Sequence, residues 1–427
     1  MRTRLTLVAI VVAGAAISLL RVPTSHLDTV WAEDGDVFLA DALRESPWGP
    51  LFKGYAGYQH LIPRIVAAIL VSLAPLEAYG IAVFVACALL TGAVAAAVYW
   101  LSRDLVPWQP ARLTLAGITI LLPLAGQEVL GNLADFHSYC LWLAPWILLY
   151  RPRTLGGGLW WGFVAFLCAA TEIQTLLFLP LLLFMVPRRH RNSWPIGIGL
   201  AVGLALQVAT TLLFPRPSTA GWQGLSSLLV GYLYNAVLPL ANTDAGWQVA
   251  VILAGGPLLP ALIAVPFAAA TVVVVVWGNR MQRVLVITLV LASGATYAAA
   301  AINDGSYYFR YTHHLNADGF EGILTVRYGV AAGLLLAATV PLAAAVAYRL
   351  AQARGVEWPI VTSRAVLAAL LTLMIFSGSQ VDSSRDSGVA WSTNVDEARE
   401  ECDEREPTEV GITIAPEREV VLACSLL

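Results

Sequence analysis

The chain has 427 residues and a net charge of −3, with 58% hydrophobic and only 12% charged residues. A soluble chain of this length carries about 25% charged residues, so a soluble globular protein is excluded, and the mild acidity argues against a nucleic-acid partner. The apolar residues come in long runs, which makes the chain an all-α polytopic membrane protein.

Arg2 and Arg4 precede an apolar run from Leu5 to Leu20. This resembles a signal peptide, but it ends Leu19-Leu20-Arg21-Val22-Pro23 with no small-residue cleavage site, so it reads as an uncleaved first span over residues 5–21. Positive residues concentrate in cytoplasmic loops, which puts the N-terminus inside and the segment 22–79 outside. That segment carries Trp31-Ala-Glu-Asp-Gly-Asp-Val-Phe38, with Glu33, Asp34 and Asp36 close together. Farther on, Leu61 to Ala74 is too short to span and predicts a helix lying in the outer interface. Span 2 (80–101) returns to Arg103 and Arg112, span 3 (113–126) leads to a polar outer turn, and span 4 (138–150) returns to Arg151 and Arg153. The apolar stretch 159–186 exceeds one helix and is split at Thr171-Glu172, predicting two short spans that return to Arg188, Arg189 and Arg191.

Span 7 (195–214) leads to an aromatic-rich loop, 215–246, and span 8 (247–276) contains Gly255-Gly256-Pro257, a kink signal. Arg280 and Arg283 are read as internal. Span 9 (284–301), a polar outer loop that ends near Arg327, span 10 (328–347) and span 11 (365–378) complete the pattern, with Arg349 and Arg354 inside. The expectation is eleven spans, N-terminus in and C-terminus out: residues 1–378 form the membrane domain and 379–427 a small extracytoplasmic tail. Within the tail, Thr408–Ile414 and Glu419–Cys424 read as strands and 391–402 as a helix. A Cys402–Cys424 disulfide would stabilise so small a unit in an oxidising compartment; the alternative is two free thiols in a cytoplasmic tail. Cys87, Cys140 and Cys168 lie in apolar runs and read as packing residues. No Walker or Rossmann glycine motif occurs.

By this topology most ionisable groups apart from the inner arginines face outward. Glu33, Asp34 and Asp36 are the catalytic candidates: a carboxylate can take the proton of an attacking hydroxyl. Asp34 and Asp36 together could instead hold a divalent cation, Mg²⁺ or Mn²⁺, on hard oxygen ligands, with Gly35 allowing a tight turn between them. The plain alternative is a solvated loop or a helix N-cap. Arg327, Arg310 and Arg64 are candidates for a phosphate, which arginine binds bidentately, against simple snorkelling at span ends. His60, Tyr58, Glu128, His137, Glu172 and His313 are the pocket candidates.

In these residues the chain resembles the GT-C superfamily of membrane glycosyltransferases, which use polyprenyl-phosphate sugars. The resemblance rests on Asp34-Gly-Asp36 in the first outer loop, and on Trp31-Ala-Glu-Asp-Gly with the later Gly57-Tyr-x-x-Leu-x-Pro-Arg64, which look like an actinobacterial branch. It implies an inverting transfer of a sugar from a polyprenyl-phosphate donor to a cell-envelope glycan, lipid or protein acceptor at the outer face of the plasma membrane. Asp34 or Asp36 would be the base or metal ligand, and Arg327 or Arg310 would contact the donor phosphate. The short tail departs from relatives that carry a large carbohydrate-binding domain. Rival readings are a transporter or flippase of lipid-linked sugars, for which Glu128 and Glu172 speak, and a non-catalytic scaffold.

Overall fold

The computed structural model describes residues 2–185, 191–216, 221–303, 309–311, 326–378, 385 and 389–427. His313, and Arg188 and Arg189 of the basic cluster, lie outside the described residues. The fold is all-α apart from one small hairpin among the described residues. In hydrocarbon every backbone amide must be satisfied within its own segment, so the long uncharged runs become helices. Seven helical stretches among the described residues are long and apolar enough to cross a membrane: Thr3–Leu20, Leu76–Asp104, Arg191–Leu213, Leu258–Trp277, Arg280–Asn303, Val326–Arg354 and Trp358–Ser377. The chain is therefore built as a multi-pass membrane protein. Shorter apolar helices accompany these, among them Leu61–Leu73, Leu155–Thr171, Ile173–Phe184, Leu225–Leu240 and Ala245–Gly255.

A short helix, His137–Leu149, runs through the centre, and every residue from Ser138 to Leu149 is buried. A helix apolar on all sides belongs inside a bundle. Trp142 and Trp146 fill the core around it, and Trp142 Nε1 donates to Thr119 Oγ1 at 2.8 Å. Close helix approaches are made by glycines. Leu155–Thr171 meets Trp194–Leu213 so tightly that a Cβ on Gly199 would fall on the Gly162 carbonyl.

Three local expectations change. The segment 215–246 is not an open loop: Leu225–Tyr232 is helical, and the coil continues as a π turn, Leu233–Val237, and a 3-10 turn, Leu238–Leu240. Leu225, Leu228 and Leu229 have helical spacing, which the surrounding aromatics masked. The kink at Gly255-Gly256-Pro257 is a full break, with Gly256 at φ +53°, and it separates Ala245–Gly255 from Leu258–Trp277. Gly35 does not form a tight turn. Its backbone is helical, and a Cβ there would meet Ile414 Cδ1 at 2.9 Å, so the glycine makes room for the tail.

The molecule has two chemically distinct ends. At one end Arg103 stacks over Trp100 at 3.8 Å and donates to Tyr150 Oη at 2.9 Å, Gln282 Nε2 donates to the Leu105 carbonyl at 2.9 Å, and Arg349 Nη2 donates to the Trp277 carbonyl at 2.6 Å. These contacts gather arginine-bearing loops that lie far apart in sequence. At the other end lie the acidic stretch, the turn before His137, and the tail.

The tail helix, Trp391–Arg405, leads to strands β1 (Glu409–Ile414) and β2 (Arg418–Ala423), paired antiparallel with Val410 opposite Leu422 and Ile414 opposite Arg418. Val410, Ile412 and Ile414 alternate inward. They do not form a core of their own. With Val395, Val420 and Leu422 they pack against Val30, Leu39, Tyr79, Val83 and Leu133, so tail and first outer loop share one apolar cluster. Cys402 and Cys424 lie at disulfide distance, 5.7 Å apart at Cα.

Candidate functional site

The acidic stretch is anchored by the tail. Ala415 N donates to the Val30 carbonyl at 2.9 Å, and Ala32 N donates to the Ala415 carbonyl at 2.5 Å. The chain then winds into a wide π turn, Asp34–Leu39, which fans neighbouring side chains apart. The three acids consequently meet three different environments.

Asp34 is wholly buried. Its Oδ2 accepts from Leu133 N at 2.9 Å and its Oδ1 from Ala134 N at 3.0 Å, which satisfies the start of the turn Ala134–Phe136. Burial pushes its carboxyl up to about 7, against the pull of those two amides and of the Arg385 charge. Asp36 is half-buried and ion-paired to Arg418 of β2 at 3.2 Å. Burial raises its carboxyl and Arg418 opposes the rise. Glu33 is half-buried and has no ion-pair partner among the described residues. Burial raises it first, the neighbouring Asp135 charge adds to the rise, and Arg418 and Arg327 counter it. Glu33 thus lies within electrostatic reach of Arg327, from the opposite end of the chain.

Arg327 sits in the one-turn lead-in Val326–Gly329 to the helix Val330–Ala337. Its Nη1 donates to Glu128 Oε2 at 3.2 Å and its Nη2 to Tyr328 Oη at 3.3 Å, which leaves three of its five N–H donors unused among the described residues. It lines a cavity of about 50 Å³ with Asp135, His137, Ser138, Glu172, Gln174 and Tyr328 among its walls. Burial raises the Glu128 carboxyl, with Arg327 opposing. Glu172 stands where the helix Leu155–Thr171 breaks, and it is almost fully buried. Its Oε1 accepts from Gln174 N at 2.7 Å, and its Oε2 pairs with His137 Nδ1 at 2.9 Å. Burial alone would lower the His137 imidazole, but the Glu172 and Asp135 carboxylates overcome it and hold it above its ordinary value. Asp135 is itself fixed by Asn132, whose Nδ2 donates to Asp135 Oδ2 at 2.9 Å.

The other candidates lie elsewhere. Arg64 is buried against Asp41 at 3.1 Å, with Phe38 beneath its guanidinium, and does not line the cavity. His60 begins the helix Leu61–Leu73 with φ +50° and packs against Phe38, Tyr55 and Tyr58. Burial, with the His137 and Arg64 charges, lowers its imidazole to about 3, so it is neutral at physiological pH. Tyr58 Oη accepts from Asn303 Nδ2 at 3.3 Å, and Arg310 is exposed and outside the cavity lining. Asp34 and Asp36 do not make a shared cation site. The oxygens of the first serve backbone amides, and the second is held by an arginine. Among the described residues no group of three or more His, Cys, Asp and Glu gathers to hold a metal.

Sequence reasoning passed over two arginines. Arg385 is buried, donates to Thr29 Oγ1 at 2.9 Å and to the Gly131 carbonyl at 3.1 Å, and lies 5.1 Å from the Trp31 ring centre. Arg418 holds Asp36. Both belong to a tail assigned to the arginine-poor side, and that breach of the charge pattern was the available signal. No family model, curated protein or solved structure matches this chain.

Proposed function

We propose that this chain is an integral membrane glycosyltransferase with eleven spans, N-terminus inside. It moves a sugar from a polyprenyl-phosphate donor to an acceptor hydroxyl at the outer face of the plasma membrane. The observation that carries the reading is the polar cavity walled by Arg327, Asp135, His137 and Glu172, with Glu33 outside its lining but within electrostatic reach of both Asp135 and Arg327. Glu33 is the general base. Asp34 is committed to backbone amides and Asp36 to Arg418, whereas Glu33 is half-exposed and has a raised proton affinity suited to the task. It takes the acceptor hydroxyl proton as that oxygen bonds to the anomeric carbon. The anomeric carbon–phosphate oxygen bond breaks, and the lipid phosphate leaves with the electron pair. Free donors on Arg327 neutralise the departing phosphate.

The test supplies full-length protein in nanodiscs with ¹⁴C-labelled polyprenyl-phosphate mannose or glucose and membrane-extracted acceptor. Labelled product is expected, and Glu33→Gln should lower turnover about 10²–10⁴-fold with the thermal midpoint unchanged. A base must be ionised to act, so turnover should fall as pH drops through a value above 4.5, the ordinary glutamate value. Unchanged turnover in both Glu33→Gln and Arg327→Gln would overturn the mechanism. The broken helix at the buried Glu172, with its half-buried His137 partner, favours transport of a lipid-linked sugar as the second reading. Transbilayer movement of the labelled lipid in proteoliposomes without product would select it.

A further inference from the structure

The arginine-rich end contains a hollow that the proposed chemistry does not use. It measures about 320 Å³ and is lined by Asp104, Leu105, Leu149, Arg151, Asn279, Arg280 and Met281. Three segments build it: the one after Tyr79–Leu101, the one after His137–Leu149, and the turn between Leu258–Trp277 and Arg280–Asn303. The positive-inside pattern explains why arginines gather here, but not why two of them wall a cavity while donating to no group among the described residues. Three other arginines at this end are occupied, Arg103 donating to Tyr150 Oη, Arg283 to the Val276 carbonyl at 3.0 Å and Arg349 to the Trp277 carbonyl, while Arg153, Arg191 and Arg354 donate to nothing among the described residues but do not line the hollow. Arg151 and Arg280 donate to nothing among the described residues, and the Arg280 guanidinium merely rests 5.8 Å from the Phe184 ring centre.

We propose that this hollow binds a phosphate group, presented in the membrane by an anionic phospholipid headgroup. Two guanidiniums supply charge-assisted donors for phosphate oxygens. Asn279 adds a neutral donor, because its Oδ1 already accepts from Gln282 N at 2.9 Å and its amide NH₂ is left over. Asp104 is the one acid in the lining, and it lies 3.8 Å from Arg103, so the lining keeps a net positive charge. Leu105, Leu149 and Met281 give the apolar floor that a glycerol backbone and the first acyl carbons require. A water-soluble phosphate compound would use the donors and leave that floor uncovered.

The thermal midpoint of the detergent-purified full chain reads out occupancy, because a ligand of the folded state stabilises it by mass action. Dioleoyl-phosphatidylglycerol should raise the midpoint and dioleoyl-phosphatidylcholine should not. Exposed Arg151 and Arg280 leave the basal fold intact when changed. The Arg151→Gln/Arg280→Gln variant should need roughly 30-fold more phosphatidylglycerol for the same shift, about fivefold for each arginine. Arg153→Gln, exposed but outside the lining, should respond as the wild type does. Inorganic phosphate is the second probe. If it alone reproduces the shift and displaces the lipid, the occupant is a soluble phosphate compound at the same residues. The proposal fails if neither probe shifts the wild type, if phosphatidylcholine works as well, if the double variant responds fully, or if Arg153→Gln loses as much as the double variant.

Discussion

Removing the Asp34 carboxylate strands two backbone amides at once, those of Leu133 and Ala134. Each buried unsatisfied donor costs about 1–3 kcal/mol, so Asp34→Ala should destabilise the fold by about 2–6 kcal/mol. The loss should depend on pH in a defined direction. Burial lifts the folded-state carboxyl from 3.8 to about 7, so the stability it gives is complete below pH 3.8 and drains away as pH rises through 7. Thermal midpoints measured from pH 4 to 8 should therefore show the gap between wild type and Asp34→Ala narrowing toward neutral pH. A widening gap would mean that the two amides and Arg385 outweigh burial. The sequence displays three acids within four positions and makes them look equivalent. Their division of labour depends on a π turn and on amides 99 and 100 positions away, which no local pattern encodes.

Helix boundaries were legible where composition changes sharply. The break at Glu172 and the one at Gly255-Gly256-Pro257 both fall where a charged residue, or a Gly-Gly-Pro, interrupts an apolar run. Leu225–Tyr232 escaped because Trp222, Tyr232 and Tyr234 look like an interfacial belt, while its burial comes from residues far along the chain such as Tyr297 and Tyr311. Helix pairing was not legible at all, because a glycine in a run does not say which neighbour it admits. Here it decides the packing: Gly199 on one helix lies against the Gly162 backbone of another. No side chain can yield there, since backbone meets backbone. Gly199→Leu should push apart the helices Leu155–Thr171 and Trp194–Leu213 at a cost of about 1–3 kcal/mol or more. It should also disturb Glu172, which ends the first of these helices, and so move the cavity wall. A lowered thermal midpoint in detergent is the expected result, while Gly156→Leu, where a Cβ meets nothing within 4 Å, serves as the tolerant control.

At the scale of the whole molecule, the distribution of arginines and acids predicts which way round the chain sits in a bilayer. Loops bearing Arg103, Arg151, Arg280 and Arg349 converge on one end, and the Glu33, Arg327 and tail cluster occupies the other. Positive residues are retained on the cytoplasmic side, so the first end should be internal and the second external. The tail makes this demanding, because Arg385, Arg399, Arg405 and Arg418 would all have to be translocated. Each contributes to a folded unit: Arg399 pairs with Glu77 at 3.0 Å, Arg405 with Glu401 at 2.9 Å and Arg418 with Asp36 at 3.2 Å, while Arg385 binds carbonyls. Their contacts with the first outer loop require tail and loop to lie on the same side, whichever side that is. Alkaline phosphatase, which folds only outside, should therefore be active when fused after Leu427 and inactive when fused after Arg153. A green fluorescent protein fusion exported through the same route should give the reverse pattern. Phosphatase activity at Arg153 and not at Leu427 would invert the molecule, move the cavity lined by Arg327, His137 and Glu172 to the cytoplasmic face, and remove the basis for an outer-leaflet donor.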